Sequence, residues 1–197
     1  MRKLLSILAI LFFVTGAHAG SVAPDTVVKN TANEVLEILK SDKDLTNGNS
    51  NKLGKIVEEK IATKFDFDRM SRLVLGARWN EASKEQQDRF IAEFRSLLIR
   101  TYSSALAQYR DQTIEYKPLR ADPNAKDVKV MTKIIQPGGP AIALDYSLAK
   151  SDDAWRVYDV SIDGLSLVST YRGQFAEAIK QSGIDGLTQR LSDKNKT

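Results

Sequence analysis

The sequence predicts an α+β fold in which helices come first, antiparallel strands follow, and helices return at the C-terminal end. Apolar residues recur at helical spacing over the first half of the chain, and the period changes to two from Thr113. Short turns join the successive strand segments, which indicates an antiparallel meander because parallel strands would need long crossovers.

The long helix after Ser83 is the element around which the rest of the chain is expected to pack. The run from Ser83 to Gln86 is a capping box, which predicts the start of the helix. Its apolar residues cover nearly half of the circumference, against a stripe of about 100° on an ordinary surface helix. Such a helix needs cover on two sides, either from the sheet and other helices or from the sheet and a bound apolar ligand.

Three shorter helices are predicted before the long one. Periodic apolar residues indicate helices over 25–40 and 51–63, with a polar loop over 41–50 between them. Asp66 is expected to cap a third helix, and Gly76 to end it.

Four strands are predicted in the second half of the chain. The first contains Ile114 and Tyr116, and alternating apolar residues mark the others over 128–134, 142–148 and 154–162. A helix should follow and stop at Gly183. A last short helix is expected after it.

The first nineteen residues predict a cleavable signal peptide. Arg2 and Lys3 form its basic start, and the apolar run Leu4–Val14 is too short to span a bilayer. Ala17-His18-Ala19 is a small-x-small cleavage site. The exported chain, residues 20–197, is expected to form one domain.

Composition narrows the possible functions. The chain has no cysteine, and His18, its one histidine, leaves with the signal peptide. Disulfides and His/Cys metal sites are therefore excluded from the exported chain, and no metal or cofactor is expected. The formal charge falls from +4 to +2 when Arg2 and Lys3 are removed. No Lys/Arg tract is present, so a nucleic-acid partner is not expected.

An enzyme is disfavoured by the inventory of reactive residues. The segment Gly164–Val168 lacks the final glycine of a nucleophile elbow, and no histidine base would accompany Ser166. The pair Asp66 and Asp68 is typical of helix capping, and the pair after Ser151 is typical of a turn, so glycosidase chemistry is not indicated.

Two segments carry a family resemblance. Residues 65–106 read FDFDRMSRLVLGARWNEASKEQQDRFIAEFRSLLIRTYSSAL, and residues 155–191 read WRVYDVSIDGLSLVSTYRGQFAEAIKQSGIDGLTQRL. The chain resembles the toluene-tolerance family of periplasmic phospholipid-binding proteins. The resemblance implies a twisted antiparallel sheet of four or more strands, wrapped by helices around an apolar pocket and similar to NTF2-like domains.

The resemblance also implies a function. Such a protein is a soluble periplasmic shuttle, expected to be a monomer, whose cargo is phospholipid and which has no other cofactor. It would carry lipid between an outer-membrane lipoprotein–porin complex and an inner-membrane MCE-domain ABC transporter, and so maintain outer-membrane lipid asymmetry. The alternatives are a carrier for another apolar ligand, such as a sterol-like lipid or a fatty acid, and an adaptor with no ligand.

The pocket walls are expected to come from the helices and from one face of the sheet. Plain core packing is the alternative for each candidate, and Trp79 and Trp155 are expected to be packing anchors. The candidates are Met70, Val74, Leu98, Tyr102, Leu106, Tyr109, Val130, Ile134, Leu144, Tyr146, Val160, Ile162, Val168 and Tyr171.

Arg95 interrupts the apolar arc of the long helix, where a guanidinium must pair or reach water. One hypothesis pairs it in a buried ion pair with Asp159 of the fourth strand. The other places Arg95 at the pocket mouth, where it would hold the lipid phosphate.

Overall fold

The computed structural model describes residues 22–196 apart from residues 46–49, 110, 123 and 153. The predicted signal peptide, residues 1–19, lies outside the described residues. Within the described part, no helix combines the length and the apolar character needed to cross a bilayer.

The predicted helices are present, and the second one is less regular than expected. A 3₁₀ turn at Lys43–Leu45 lies in the predicted loop, and a 3₁₀ segment at Gly76–Glu81 follows α3. The helix predicted over 51–63 ends as a π-helical turn, Val57–Ile61, and a 3₁₀ turn, Ala62–Lys64. The α-helices are α1 Pro24–Ser41, α2 Ser50–Ile56, α3 Phe67–Leu75, α4 Lys84–Leu106 and α5 Leu167–Lys196.

The capping signals fix the start of α3 and α4 as the sequence predicts. The Gln86 backbone N–H donates to Ser83 Oγ over 3.2 Å, and the Ser83 N–H donates to Gln86 Oε1 over 2.9 Å. Asp66 Oδ1 accepts from the Arg69 backbone N–H over 2.8 Å at the start of α3. These bonds satisfy donors that the first helical turn leaves unpaired.

Gly183 ends the first C-terminal helix, as predicted, and a second helix follows it. Its φ of 68° lies in the left-handed region, so the helical backbone is interrupted there. The chain resumes the helix at once, and Leu187 and Leu191 are buried on the far side of the kink. The two predicted C-terminal helices are therefore confirmed, and α5 denotes both of them together with the kink that separates them.

The predicted meander is confirmed. The strands are hydrogen-bonded in chain order, and each neighbouring pair is antiparallel. The two-residue β5 was not predicted because it is too short to show a period. The strands are β1 Thr113–Tyr116, β2 Asp127–Ile135, β3 Ile142–Ser151, β4 Ala154–Ile162 and β5 Leu165–Ser166.

A β-bulge divides β4 between two environments. Leu148 pairs with Val157 but Ser147 pairs with Asp159, so Tyr158 is an extra residue on β4. Tyr158 packs against the helices, whereas Val157 and Val160 pack against the inner face of the sheet.

Three apolar clusters hold these elements together. The helix core joins α3, α4 and α5 and consists of Met70, Val74, Leu75, Trp79, Phe90, Phe94, Leu97, Leu98, Val168, Phe175, Leu187 and Leu191. The sheet cluster consists of Val28, Val130, Leu148, Val157 and Val160. The α1–α2 cluster consists of Val35, Leu39, Leu45, Leu53 and Val57. Trp79 belongs to the helix core and Trp155 packs on the sheet cluster, as expected of packing anchors.

Candidate functional site

A cavity of about 610 Å³ lies between α1, α4 and the inner face of the sheet. Its volume falls within the range of roughly 300–1,000 Å³ that is usual for ligand pockets. Aliphatic and aromatic side chains make up most of its lining. The three clusters meet around this space without filling it.

Each wall follows from a local periodicity. On α1, Val28, Val35 and Leu39 recur at helical spacing and present one apolar face to the cavity. On the sheet, alternate residues such as Leu144 and Tyr146 of β3 point to the same side.

Most of the predicted wall residues lie on this cavity. Their contact with a lipid stays a prediction, but their common location is a feature of the structure. They are Met70, Leu98, Tyr102, Leu106, Tyr109, Ile134, Leu144, Tyr146, Val160 and Ile162.

Four predicted wall residues lie in packed clusters and do not line the cavity. Val74 and Val168 are buried in the helix core, and Val130 is 2% exposed in the sheet cluster. Tyr171 packs its ring against Phe94, with centroids 5.3 Å apart. The expectation was wrong for Val74, Val168 and Tyr171 because α3, α4 and α5 pack closely there, and for Val130 because the sheet cluster covers it.

The contribution of α1 to the cavity wall was not predicted from the sequence. Its stripe of Val28, Val35 and Leu39 was recognised as a helix signal but was not assigned to the wall. Phe65 and Phe67 were also missed. Phe65 follows the 3₁₀ turn and Phe67 is the first residue of α3, so no period indicates which way their side chains point.

The cavity wall carries little charge. Burial, followed by the neighbouring Tyr171, raises the pKa of Tyr102 to about 12. Burial also raises the pKa of Tyr146, so both hydroxyls stay neutral near pH 7. Among the described residues that line the cavity, Lys64 is the charged one, and its side chain is exposed. Such a wall suits an apolar ligand.

Arg95 does not pair with Asp159. Its Nη2 contacts Glu58 Oε1, and its guanidinium lies over the Phe67 ring, 5.5 Å from the centroid. Both charged side chains are about two-fifths exposed, at 38% and 42%. The partner comes from the π-helical turn, and sequence spacing does not predict that contact.

Asp159 instead caps the start of α5. Its carboxylate accepts from Ser166 Oγ over 2.6 Å and from the Val168 N–H over 3.1 Å. The β4 bulge turns this carboxylate toward the helix end, away from Arg95. The hypothesis of a buried Arg95–Asp159 ion pair is therefore wrong.

Metal binding finds no support in the described part of the chain. No group of three or more His, Cys, Asp or Glu side chains is placed there to hold an ion.

The family model described as MlaC protein matches residues 29–193, which is most of the chain. The chain belongs to the MlaC family. This match confirms the resemblance to the toluene-tolerance family. One relative is itself named a toluene tolerance protein. Toluene tolerance protein ttg2D of Pseudomonas putida is 29% identical over 185 residues, covering 93% of this chain and 84% of that protein.

A second relative and a solved structure also support membership of the MlaC family. Intermembrane phospholipid transport system binding protein MlaC of Haemophilus influenzae is 23% identical over 183 residues, covering 91% of this chain and 86% of its own. A phospholipid-binding protein from Ralstonia solanacearum, solved in complex with a phospholipid, superposes with a TM-score of 0.82 at 42% identity. The superposition covers 88% of this chain and 97% of that one, which confirms the α+β fold.

Proposed function

We propose that this protein binds phospholipid with its acyl chains in the cavity and carries it across the periplasm. The main support for this proposal is the apolar cavity between α1, α4 and the sheet. Exposing acyl chains to water costs about 0.8 kcal/mol per methylene, so two long tails cost on the order of 20 kcal/mol. A carrier must offset that cost with apolar walls of its own.

The comparisons support phospholipid over other apolar ligands. The Ralstonia solanacearum structure holds a phospholipid, and at 42% identity it shares both fold and much of the sequence with this chain. The Haemophilus influenzae relative is named as the binding protein of an intermembrane phospholipid transport system, which supports the same cargo. The cavity alone would also accept a sterol-like lipid or a fatty acid.

The finer parts of the proposal concern place and partners. Residues 1–19 direct export to the periplasm, and residues 20–197 act as one lipid-binding domain and as a monomer. The protein receives and delivers lipid at the outer-membrane lipoprotein–porin complex and the inner-membrane MCE-domain ABC transporter. This transport maintains outer-membrane lipid asymmetry and requires no catalytic residue.

Identification of co-purified lipid tests the proposal. The chain is expressed with its own N-terminal segment in a Gram-negative host, purified without detergent, extracted and analysed by mass spectrometry. Phospholipid in near-stoichiometric amount is expected. A fatty acid or sterol-like lipid as the sole ligand would favour the alternative carrier. Bare polypeptide from repeated gentle preparations would favour a ligand-free adaptor.

A further inference from the structure

The walls of the cavity differ in how firmly they are held. Behind α4, Phe90 and Phe94 are fully buried in the helix core, so this wall is fixed on its far side. The sheet is a continuous antiparallel ladder. The link before α3 is bonded to β4, because the Asp66 N–H donates to the Val157 carbonyl over 2.8 Å. These three walls are therefore held independently of what the cavity contains.

The fourth wall, α1, is held by its side chains. Its apolar face is divided, since Val28 belongs to the sheet cluster and Val35 and Leu39 belong to the α1–α2 cluster. Between these positions, Thr31 and Ala32 border the cavity and are half-buried. Among the described residues, no backbone hydrogen bond joins α1 to the sheet or to α4. The middle of α1 therefore spans the cavity and rests on whatever fills it.

The polar contacts from α1 to the neighbouring walls lie at the surface. Lys29 Nζ is 5.9 Å from the centroid of the Tyr116 ring on β1. Glu34 Oε1 lies 2.7 Å from Lys60 Nζ of the π-helical turn, and the two side chains are 48% and 40% exposed. The π-helical turn is itself in contact with Arg95 of α4. Exposed ion pairs contribute little to stability, so α1 can leave this partner and return to it at little cost.

The C-terminal end of α1 is the better anchored end. There Leu39 packs with Leu45 and Leu53, which are 0% and 1% exposed. Asp42, directly after the helix, also contacts Lys52 of α2. The N-terminal half contributes one residue to the sheet cluster and makes an exposed cation–π contact. Rotation about the C-terminal end would therefore uncover the cavity and leave the α1–α2 cluster in place.

We propose that α1 is a hinged lid, which pivots about its C-terminal end and swings its N-terminal half away from the sheet to admit and release acyl chains. The inference rests on the proposed function and adds the route by which the cargo enters. A pocket buries about 70–90% of its ligand's surface, so a bound lipid leaves only when a wall moves. Displacing α1 breaks no sheet ladder and does not open the helix core. Other ligand-enclosing lids likewise turn on a few residues at the end of an element.

A crosslink across the edge of α1 tests the proposal, and the absence of cysteine makes introduced thiols unique. The Glu34→Cys/Lys60→Cys protein is loaded with deuterated phosphatidylethanolamine and then joined by a short bismaleimide. Release into vesicles of unlabelled phosphatidylethanolamine and phosphatidylglycerol is followed by mass spectrometry. The matched control, Arg69→Cys/Asp127→Cys, joins α3 to β2 where an ion pair of 2.7 Å lies outside the cavity lining. Each linked protein is compared with its own unlinked form.

The α1 crosslink should slow lipid release about tenfold or more, whereas the control crosslink should change it less than about two-fold. Equal release from the linked and unlinked α1 proteins would overturn the lid. Slowing by the control crosslink, alone or together with the α1 crosslink, would also overturn it, in favour of movement between α3 and the sheet. Wild type that takes up no phospholipid would overturn the proposed function, and the lid with it.

Discussion

The two sides of α4 differ in what fills the space next to them. Toward α3 and α5, Phe90 and Phe94 are fully buried and pack edge to face against Phe175, with centroids 6.1 and 5.8 Å away. Toward α1 and the sheet, Tyr102 and Leu106 border a cavity of about 610 Å³. One apolar arc on one helix thus serves both as core and as binding wall, and only the opposing elements distinguish them.

The helix core should be far more sensitive to truncation than the cavity wall. Phe94→Ala removes a ring that is wholly buried and is expected to cost about 3–5 kcal/mol of unfolding free energy. Leu106→Ala, in lipid-stripped protein, should cost less than half as much because Leu106 already borders empty space. Urea unfolding followed by circular dichroism measures both. Equal losses would mean that the cavity is packed in solution.

A charge on the cavity wall should remove the ligand. Leu106→Glu places an unpaired carboxylate beside acyl chains, so bound lipid should fall about tenfold or more. Leu73→Glu is the matched control, since Leu73 is 38% exposed on the outside of α3. Lipid extracted per mole of folded protein is the measurement. A folded Leu106→Glu protein with its full lipid load would contradict the wall assignment.

The helix cap at Asp159 should stabilise the protein more than the partly exposed Arg95–Glu58 ion pair does. Asp159→Asn weakens the acceptor of the Ser166 hydroxyl and the Val168 N–H at the start of α5, and should cost about 1–2 kcal/mol. Arg95→Met removes a partly exposed ion pair and should cost about 1 kcal/mol or less. The two changes should be additive in thermal unfolding. A coupling energy well above about 0.5 kcal/mol would restore the rejected ion pair.

The smallest expected effect concerns Tyr102 at high pH. Its pKa is raised from about 10 to about 12, so the folded protein keeps a proton that the unfolded chain loses. The resulting stability is complete below pH 10 and is lost as the pH rises toward 12. A two-unit shift corresponds to about 2.7 kcal/mol, which solvent screening of the partly exposed hydroxyl reduces, so Tyr102→Phe should flatten the decline of stability over that window by about 1 kcal/mol. Parallel pH profiles of the urea midpoint would contradict this.

Local signals predicted most of the fold. The capping box at Ser83, the cap at Asp66 and the change of period at Thr113 each act over a few residues, so the sequence contains what is needed to recognise them. The kink at Gly183 shows the limit. Its left-handed backbone ends one helix, but where the next helix packs depends on distant contacts such as the burial of Leu187 in the helix core.

Contacts between distant elements could not be predicted in this way. The β4 bulge moves Asp159 away from Arg95, and the π-helical turn supplies Glu58 in its place. Both depend on how the strand and the turn are seated against their neighbours. Periodicity likewise identified the apolar faces of α1 and α4 but not which face would be left uncovered.

Photocrosslinking of a bound lipid tests the central claim, that the cavity and not the helix core accommodates the acyl chains. Wild-type protein is loaded with a phospholipid that carries a diazirine in one acyl chain, irradiated, digested and mapped by mass spectrometry. We expect adducts on peptides containing Val35 of α1, Leu106 of α4 and Leu144 of β3. Adducts confined to α5 around Phe175, or to the outer surface, would contradict the account.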